Sequence, residues 1–297
     1  KGRSSDYIVG VVNGLLEHLT RLNETPGVVV LGATNYPDMI DPAVVRPRRF
    51  DLKLEISNPD KSSALKILKL ALGDDSTAMT LSPIADQLLG SSGAQITALV
   101  REARGLARTD QCSLRQSHLE AAASRICPVL DQDLLWRIAV HEAGHLVVAH
   151  VLGLPPAERA MITNNGGFVD IPSPMLESAQ SAKNRIAALL GGRAAEQIIL
   201  GEALNGSGLG QSSALEHATQ LAAQMQFEWG LGDQLSYTPE PASKTVAIRM
   251  VEKALKAAEQ RAIKIIKNEQ KRTLLIARAL LKHRDVSKLT LRSLLDT

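Results

Sequence analysis

The chain is short of the residues that mark a specialised environment. Of its 297 residues only 2 are cysteine, Cys112 and Cys127. Their spacing fits no metal-ligand pattern and no disulfide framework, so a reducing compartment is the simpler expectation. Aromatic residues make up 3%, which leaves Leu, Ile, Val and Ala to build the cores and favours helix-rich packing. No apolar run approaches the roughly 20 residues that a membrane-spanning helix needs, and no secretory signal is visible. The net charge is only +3, too small by itself to imply a nucleic-acid partner. The sequence opens with KGRSSDYIVG rather than an initiator Met, and it is expected to be a fragment of a longer protein. What is present is ordinary: 44% hydrophobic and 22% charged residues describe a globular chain, long enough for two or three domains.

The organisation changes along the chain. Residues 7–19 (YIVGVVNGLLEHL) carry helical apolar spacing. After the turn NETPG, the run Val28-Val29-Val30-Leu31 between Gly27 and Gly32 reads as a buried parallel strand. Leu52, Leu54 and Ile56 alternate with Lys53 and Glu55 and read as a second strand with one polar face. From Asn58 to about Ile126 the pattern is helical. Asp60 is expected to cap SSALKILKLAL, and Ser91 or Ser92 to cap GAQITALVREARGLAR, whose Ile96, Leu99, Val100, Ala103 and Leu106 form one stripe. Ser117 is expected to open a third helix, and Cys127-Pro128 to end the module. Beyond it lie a helix near 133–152, a short strand in FVDI (168–171), and helices near 179–201 and 212–229. A long basic amphipathic stretch then runs from Ser243 to about His283. Between Lys244 and Arg292 there are 14 Lys or Arg against 4 Asp or Glu. This is read as a solvated helix face or a ring-assembly surface, with an acidic partner as the lesser alternative; no aromatic interleaving supports nucleic-acid binding. The expected fold class is mainly α with a partial α/β portion, divided at residues 1–57, 58–127 and 128–297.

The segment AVHEAGHLVVAH (139–150) contains His141-Glu142-Ala143-Gly144-His145. On a helix, positions i and i+4 share a face one turn apart, so two imidazoles can meet one zinc ion. Glu142 stands beside them as the candidate general base. Ile138, Ala139, Val147, Val148 and Val151 are expected to bury this helix, and two histidines and a carboxylate in such a core are costly without a metal. Gly144 costs about 1 kcal/mol of helix propensity against Ala, which suggests that a second backbone or a substrate approaches there. His150 lies about 180° around the helix from His141 and is read as a surface or hydrogen-bonded histidine. The longer H-E-x-x-H-x-x-G-x-x-H pattern is unmet, because Val148 and Val151 occupy its Gly and His positions.

Four blocks then resemble one family, the FtsH-like, membrane-anchored AAA proteases. GATNYPDMIDPAVVRPRRFD (32–51) is similar to the second region of homology of AAA ATPases, and SGAQITALVREA (92–103) to the sensor-2 helix of their helical lid. AVHEAGHLVVAH is similar to the peptidase's zinc helix. LLGGRAAEQIILGE (189–202), with LEHATQLAAQMQFEWGLGD (215–233), is similar to the helices that finish that site. The resemblance implies the C-terminal part of an AAA large subdomain, an AAA lid and a zinc peptidase domain. It also implies a homo-oligomeric ring, usually a hexamer, that unfolds and degrades unfolded or membrane proteins, binds Zn²⁺ and uses ATP with Mg²⁺. Asn35 matches sensor 1, Arg46 and Arg49 match two arginine fingers, and Gly93 and Ala94 match positions lining the nucleotide. A planar guanidinium suits the charge on a transferring phosphoryl group. No nucleic-acid partner is implied. A membrane anchor is expected in the full-length protein, with these domains on the cytoplasmic or an equivalent reducing side.

The departures are specific. No G-x-x-x-x-G-K-[ST] occurs, so the phosphate loop and the Mg²⁺-binding carboxylates are expected outside this chain. Arg48 stands where the family usually has Gly. The family's third zinc ligand, an Asp, aligns with Ala214, and no Asp occurs from Ile171 to Gly232. His217, Glu216, Glu196 or a water are the candidate substitutes, and for Glu196 the resemblance favours orienting a histidine. Ala214 thus also allows a remodelling or scaffold protein with a decayed or deliberately inactivated peptidase.

Overall fold

The computed structural model describes residues 2–47, 49–54, 56–164, 166–205, 213–233, 235–239 and 243–296. It forms two compact units, Lys1–Ser57 and Asn58–Thr297. In the first, helix α1 (Gly2–Asn23) covers and extends the 7–19 pattern. A 3₁₀ turn follows at Pro37–Met39. The two strands expected here are not formed among the described residues. Val29, Leu31 and Ile56 are 81%, 90% and 95% exposed. A parallel strand needs neighbours for its N–H and C=O groups and a cover for both faces, and within residues 1–57 these two segments find neither.

The second unit begins with a bundle of α2 (Lys61–Leu72), α3 (Ser82–Gln87), α4 (Gly93–Thr109) and α5 (Gln116–Ile126). Local chemistry sets the helix starts. Asp60 Oδ1 accepts the Ser63 N–H at 2.7 Å. Ser92 and Gln95 form a reciprocal capping box. Helix α5 starts at Gln116, one residue earlier than Ser117, because His118 Nδ1 accepts the Arg115 N–H at 3.1 Å and fixes the first turn. Ile96, Leu99, Val100 and Ala103 are fully inside, together with Leu68, Leu72 and Leu119. Each such Leu or Ile contributes roughly 1.5–3 kcal/mol relative to exposure.

A larger core surrounds α6 (Gln132–Val151). This helix is buried nearly all round rather than along one stripe, as expected of a core helix. Of the residues expected to bury it, Val151 is instead 43% exposed in the last turn. A small antiparallel sheet of order β2-β1-β3 is made by β1 (Arg159–Thr163), β2 (Gly166–Asp170) and β3 (Asp285–Ser287). Arg159 grips Asp285 through two hydrogen bonds of 2.7 and 2.6 Å, joining β1 to β3. β2 is left at the edge, pairing Gly167 with Ile162 and Gly166 with Thr163.

The helix expected over 179–201 is divided into α7 (Ala179–Leu189), α8 (Gly191–Ala195) and a π turn, Glu196–Leu200. Helix α9 (Ala214–Phe227) starts on Ser213, whose Oγ accepts the Glu216 N–H at 3.2 Å. The basic stretch is two helices, α10 (Lys244–Asn268) and α11 (Gln270–His283), before α12 (Lys288–Leu295). One helix of about 40 residues would run roughly 60 Å, past the core it has to cover. The break at Glu269 lets α10 cover α7, α8 and α9 while α11 covers α6. No helix among the described residues is long and apolar enough to cross a membrane.

Candidate metal centre

His141, Glu142 and His145 lie in the buried middle of α6. The backbone carbonyl of Ala188, at the end of α7, lies 2.8 Å from His145 Nδ1. A carbonyl only accepts, so Nδ1 carries the proton and Nε2 offers its lone pair. His141 Nδ1 is 2.7 Å from Glu196 Oε1, which ties that nitrogen too and frees Nε2. The two rings are 4.8 Å apart between centroids, at 74°. The arrangement is that of metal-binding histidines, each held by a hydrogen bond at its far nitrogen.

Glu196 is 4% exposed. Its second oxygen accepts the Leu204 N–H at 2.7 Å. Both oxygens are thereby engaged, one behind His141 and one on the chain leaving the π turn. π turns recur at functional sites, and this one gives Glu196 its place behind the ring.

Glycines make the close approach possible. A Cβ on Gly144 would lie 2.3 Å from the Gly191 carbonyl oxygen, so α6 and α8 cross with their backbones in contact. A second backbone, α8's own, is what approaches Gly144. A Cβ on Gly192 would lie 2.5 Å from His141 Nε2, and one on Gly167 of β2 would lie 2.2 Å from Glu142 Oε1. Gly167, Gly191, Gly192 and the Ala188 carbonyl were not singled out from the sequence. The paired Gly-Gly of GGRAAEQ and of NNGGFVD was the only visible signal, and neither pair says what it will face.

The electrostatics follow from burial. His145 is pushed down to about 3, by burial first and by the His141 charge second, so it is neutral and can ligate. Burial also depresses His141, but the Glu196 hydrogen bond and the Glu142 and Glu196 charges outweigh it, and the net shift is upward. Glu142 is 6% exposed. Burial raises its carboxyl to about 7, with Glu196 adding and His141 offsetting.

The fit to zinc is partial. Two imidazoles present free Nε2 atoms, whereas catalytic zinc sites use three protein ligands. Ala214 is the first residue of α9, half-buried, with only a methyl group. His217 is exposed. Glu216 Oε1 is held by Gln220 Nε2 at 3.1 Å. Among the described residues no group of three His, Cys, Asp or Glu converges on a metal position. Residues 206–212 lie outside the described ones, and none of them is His, Cys, Asp or Glu. His150 is exposed, facing away from the pair.

The residues that the resemblance relates to the nucleotide divide between the units. Asn35 and Arg46 are exposed in the first unit. Arg49 is folded back within the first unit, with Nε 3.2 Å from Thr20 Oγ1 on α1 and Nη1 2.6 Å from the Ala43 carbonyl. Arg48 lies outside the described residues. Gly93 opens α4 in the second unit, and Ala94 beside it is exposed.

Comparison with known proteins agrees with this arrangement. Residues 129–294 match the sequence profile of peptidase family M41. Residues 1–58 match the ATPase family associated with various cellular activities (AAA). The chain is similar to the ATP-dependent zinc metalloprotease FtsH 2 of Salinibacter ruber, 32% identical over 256 residues, covering 80% of this chain and 36% of that protein. It is 34% identical to FtsH 1 of Bdellovibrio bacteriovorus, covering 77% and 38%. It is 31% identical to FtsH of Lactiplantibacillus plantarum, covering 100% and 44%. The chain thus spans less than half the length of these curated relatives.

Proposed function

The chain belongs to the FtsH family of AAA zinc metalloproteases, and on that premise we propose that it carries the peptidase part of an ATP-dependent zinc endopeptidase that degrades unfolded or membrane proteins. The observation that carries this reading is the pair of imidazoles whose Nδ1 atoms are tied to Glu196 and to the Ala188 carbonyl, which leaves both Nε2 atoms for one metal. His141 and His145 are the metal-holding residues, and Glu196 orients His141. Ala214 leaves the remaining position to a water. A zinc ion, when bound, supplies an acidified water for attack on a peptide carbonyl. Glu142, beside the two histidines on α6, is placed to take a proton and return it to the leaving amine. Gly167 brings the β2 backbone onto Glu142, so an extended peptide adding to the free edge of β2 comes close to the base.

In the whole protein, residues 1–57 act as the C-terminal part of the AAA large subdomain, 58–127 as its lid and 128–297 as the peptidase domain. Asn35, Gly93 and Ala94 serve the nucleotide, with Mg²⁺. Arg46 and Arg49 serve a neighbouring subunit's site in a ring, a hexamer by the resemblance. For Arg49 this requires exchanging its bonds to Thr20 and Ala43 for the nucleotide's phosphates. The full-length protein is read as membrane-anchored, with these domains on a reducing side.

The test is hydrolysis of casein by the full-length protein with zinc and ATP. Activity lost on Glu142→Gln is expected; no activity, or activity indifferent to that change, defeats the reading. One observation favours a second reading, a remodelling protein with a silenced peptidase: the methyl of Ala214 in the ligand position. Absence of bound zinc at neutral pH in the unaltered protein, with zinc gained on Ala214→Asp, selects it.

A further inference from the structure

The bundle and the peptidase core meet at a seam that none of the motifs covers. On the bundle's side is the loop between α3 and α4. Gln87 Nε2 donates to the Cys127 carbonyl at 2.5 Å, and Asn58 Nδ2 donates to the Gly90 carbonyl at 3.0 Å. The loop is thereby fixed to both ends of the bundle. On the other side is the turn joining β1 to β2. Asn164 Nδ2 donates to the Gln87 carbonyl at 2.9 Å. Gly90, at φ +85°, leaves room for Thr163, whose Cγ2 would be 2.8 Å from a Cβ placed there. Thr163 Oγ1 in turn donates to the Gly166 carbonyl at 2.9 Å. The next residue, Gly167, lies against Glu142.

The seam therefore has a helix start at one end and the candidate base at the other. Gly93 and Ala94 open α4 three and four residues after Gly90. Gly167 lies three positions after Asn164. β2 is an edge strand, paired among the described residues with β1 alone, so its position depends on few restraints. Removing one displaces it more readily than a central strand.

We propose that Asn164 and Gly90 are positioning residues for Glu142: the bonded seam between the α3–α4 loop and the β1–β2 turn carries the bundle's position to β2, and Gly167 delivers it to the base. A nucleotide bound at the start of α4 thereby sets the backbone beside the reacting centre. This rests on the reading of residues 58–127 as an AAA lid. The seam can couple two sites because it is short and directional: the Asn164 side-chain bond to the Gln87 carbonyl and the close Thr163–Gly90 approach carry a shift of the loop to β2.

The experiment uses the full-length protein and hydrogen exchange of residues 160–170, with ATP or with ADP, alongside the rate of ATP hydrolysis. No peptide bond has to be cut. In the unaltered protein, exchange in this segment is expected to differ between the two nucleotides. In Asn164→Ala it should rise by about five- to tenfold, as for the loss of one hydrogen bond, and become the same with either nucleotide while ATP hydrolysis persists. The isosteric Asn164→Asp, which places an acceptor against the Gln87 carbonyl, should do likewise. It keeps the test decisive if the alanine variant does not fold. Nucleotide-independent exchange in the unaltered protein, or undiminished nucleotide dependence in the folded variants, overturns the proposal while leaving the enzyme reading intact. Absence of ATP hydrolysis in the unaltered protein removes the premise and overturns both.

Discussion

Glu142 offers the sharpest test of the buried site, because its cost can be worked from its surroundings. It is 6% exposed and carries its proton up to about 7, against an ordinary 4.5. Between those two values the folded, metal-stripped protein holds a proton that the unfolded chain has released. Stability from this group is therefore fully present below 4.5 and is lost as the pH rises through 7. At about 1.4 kcal/mol per pH unit the loss totals about 3 kcal/mol. Gln cannot ionise, so Glu142→Gln escapes the cost. In the presence of a strong chelator, urea unfolding should show the variant more stable than the unaltered protein by about 3 kcal/mol near pH 8, and by under about 1 kcal/mol near pH 5. His145, held down to about 3, destabilises the fold as pH falls below its ordinary 6.5, but it does so in both proteins and cancels in the difference. Added zinc should narrow the gap at the higher pH, because a cation beside the carboxylate favours its charged form. A gap that is flat with pH would refute the claim that burial holds this carboxyl well above its ordinary range in the stripped protein.

Glu196→Gln should weaken zinc binding by roughly 10- to 100-fold in a competition titration with a coloured chelator, as for other partners of metal-bound histidines; unchanged affinity would remove Glu196 from behind His141. Ala214→Asp should tighten zinc binding by roughly tenfold or more, since it restores three protein ligands; no change would mean that α9 does not face the imidazoles. Gly144→Ala should lower stability by about 3 kcal/mol in thermal unfolding, because its Cβ would meet the Gly191 carbonyl and the Ala195 Cβ, neither of which is a flexible side-chain end; a neutral result would contradict the backbone contact of α6 with α8.

The sequence by itself determined what local chemistry can decide. Asp60 and Ser92 start helices through bonds to backbone three residues away, and such signals are local. The i, i+4 spacing of His141 and His145 fixed their common face, and the unbroken apolar setting of α6 fixed its place in a core. The family followed from four short blocks in order. Only the tertiary structure decided the rest, because each remaining contact joins residues far apart in the chain. Glu196 reaches His141 across 55 positions and Ala188 reaches His145 across 43, with the π turn setting the first of these. Gly191 and Gly192 had no visible reason until α8 was laid on α6. Val28 to Leu31 and Leu52 to Ile56 read as strands, yet a strand exists only with a partner, and that is a property of the sheet and not of the segment. The run from Ser243 to His283 read as one stretch, and the size of the core it covers bent it at Glu269. Ala214 shows the division plainly: the sequence names the missing ligand, and the structure shows that no described neighbour replaces it.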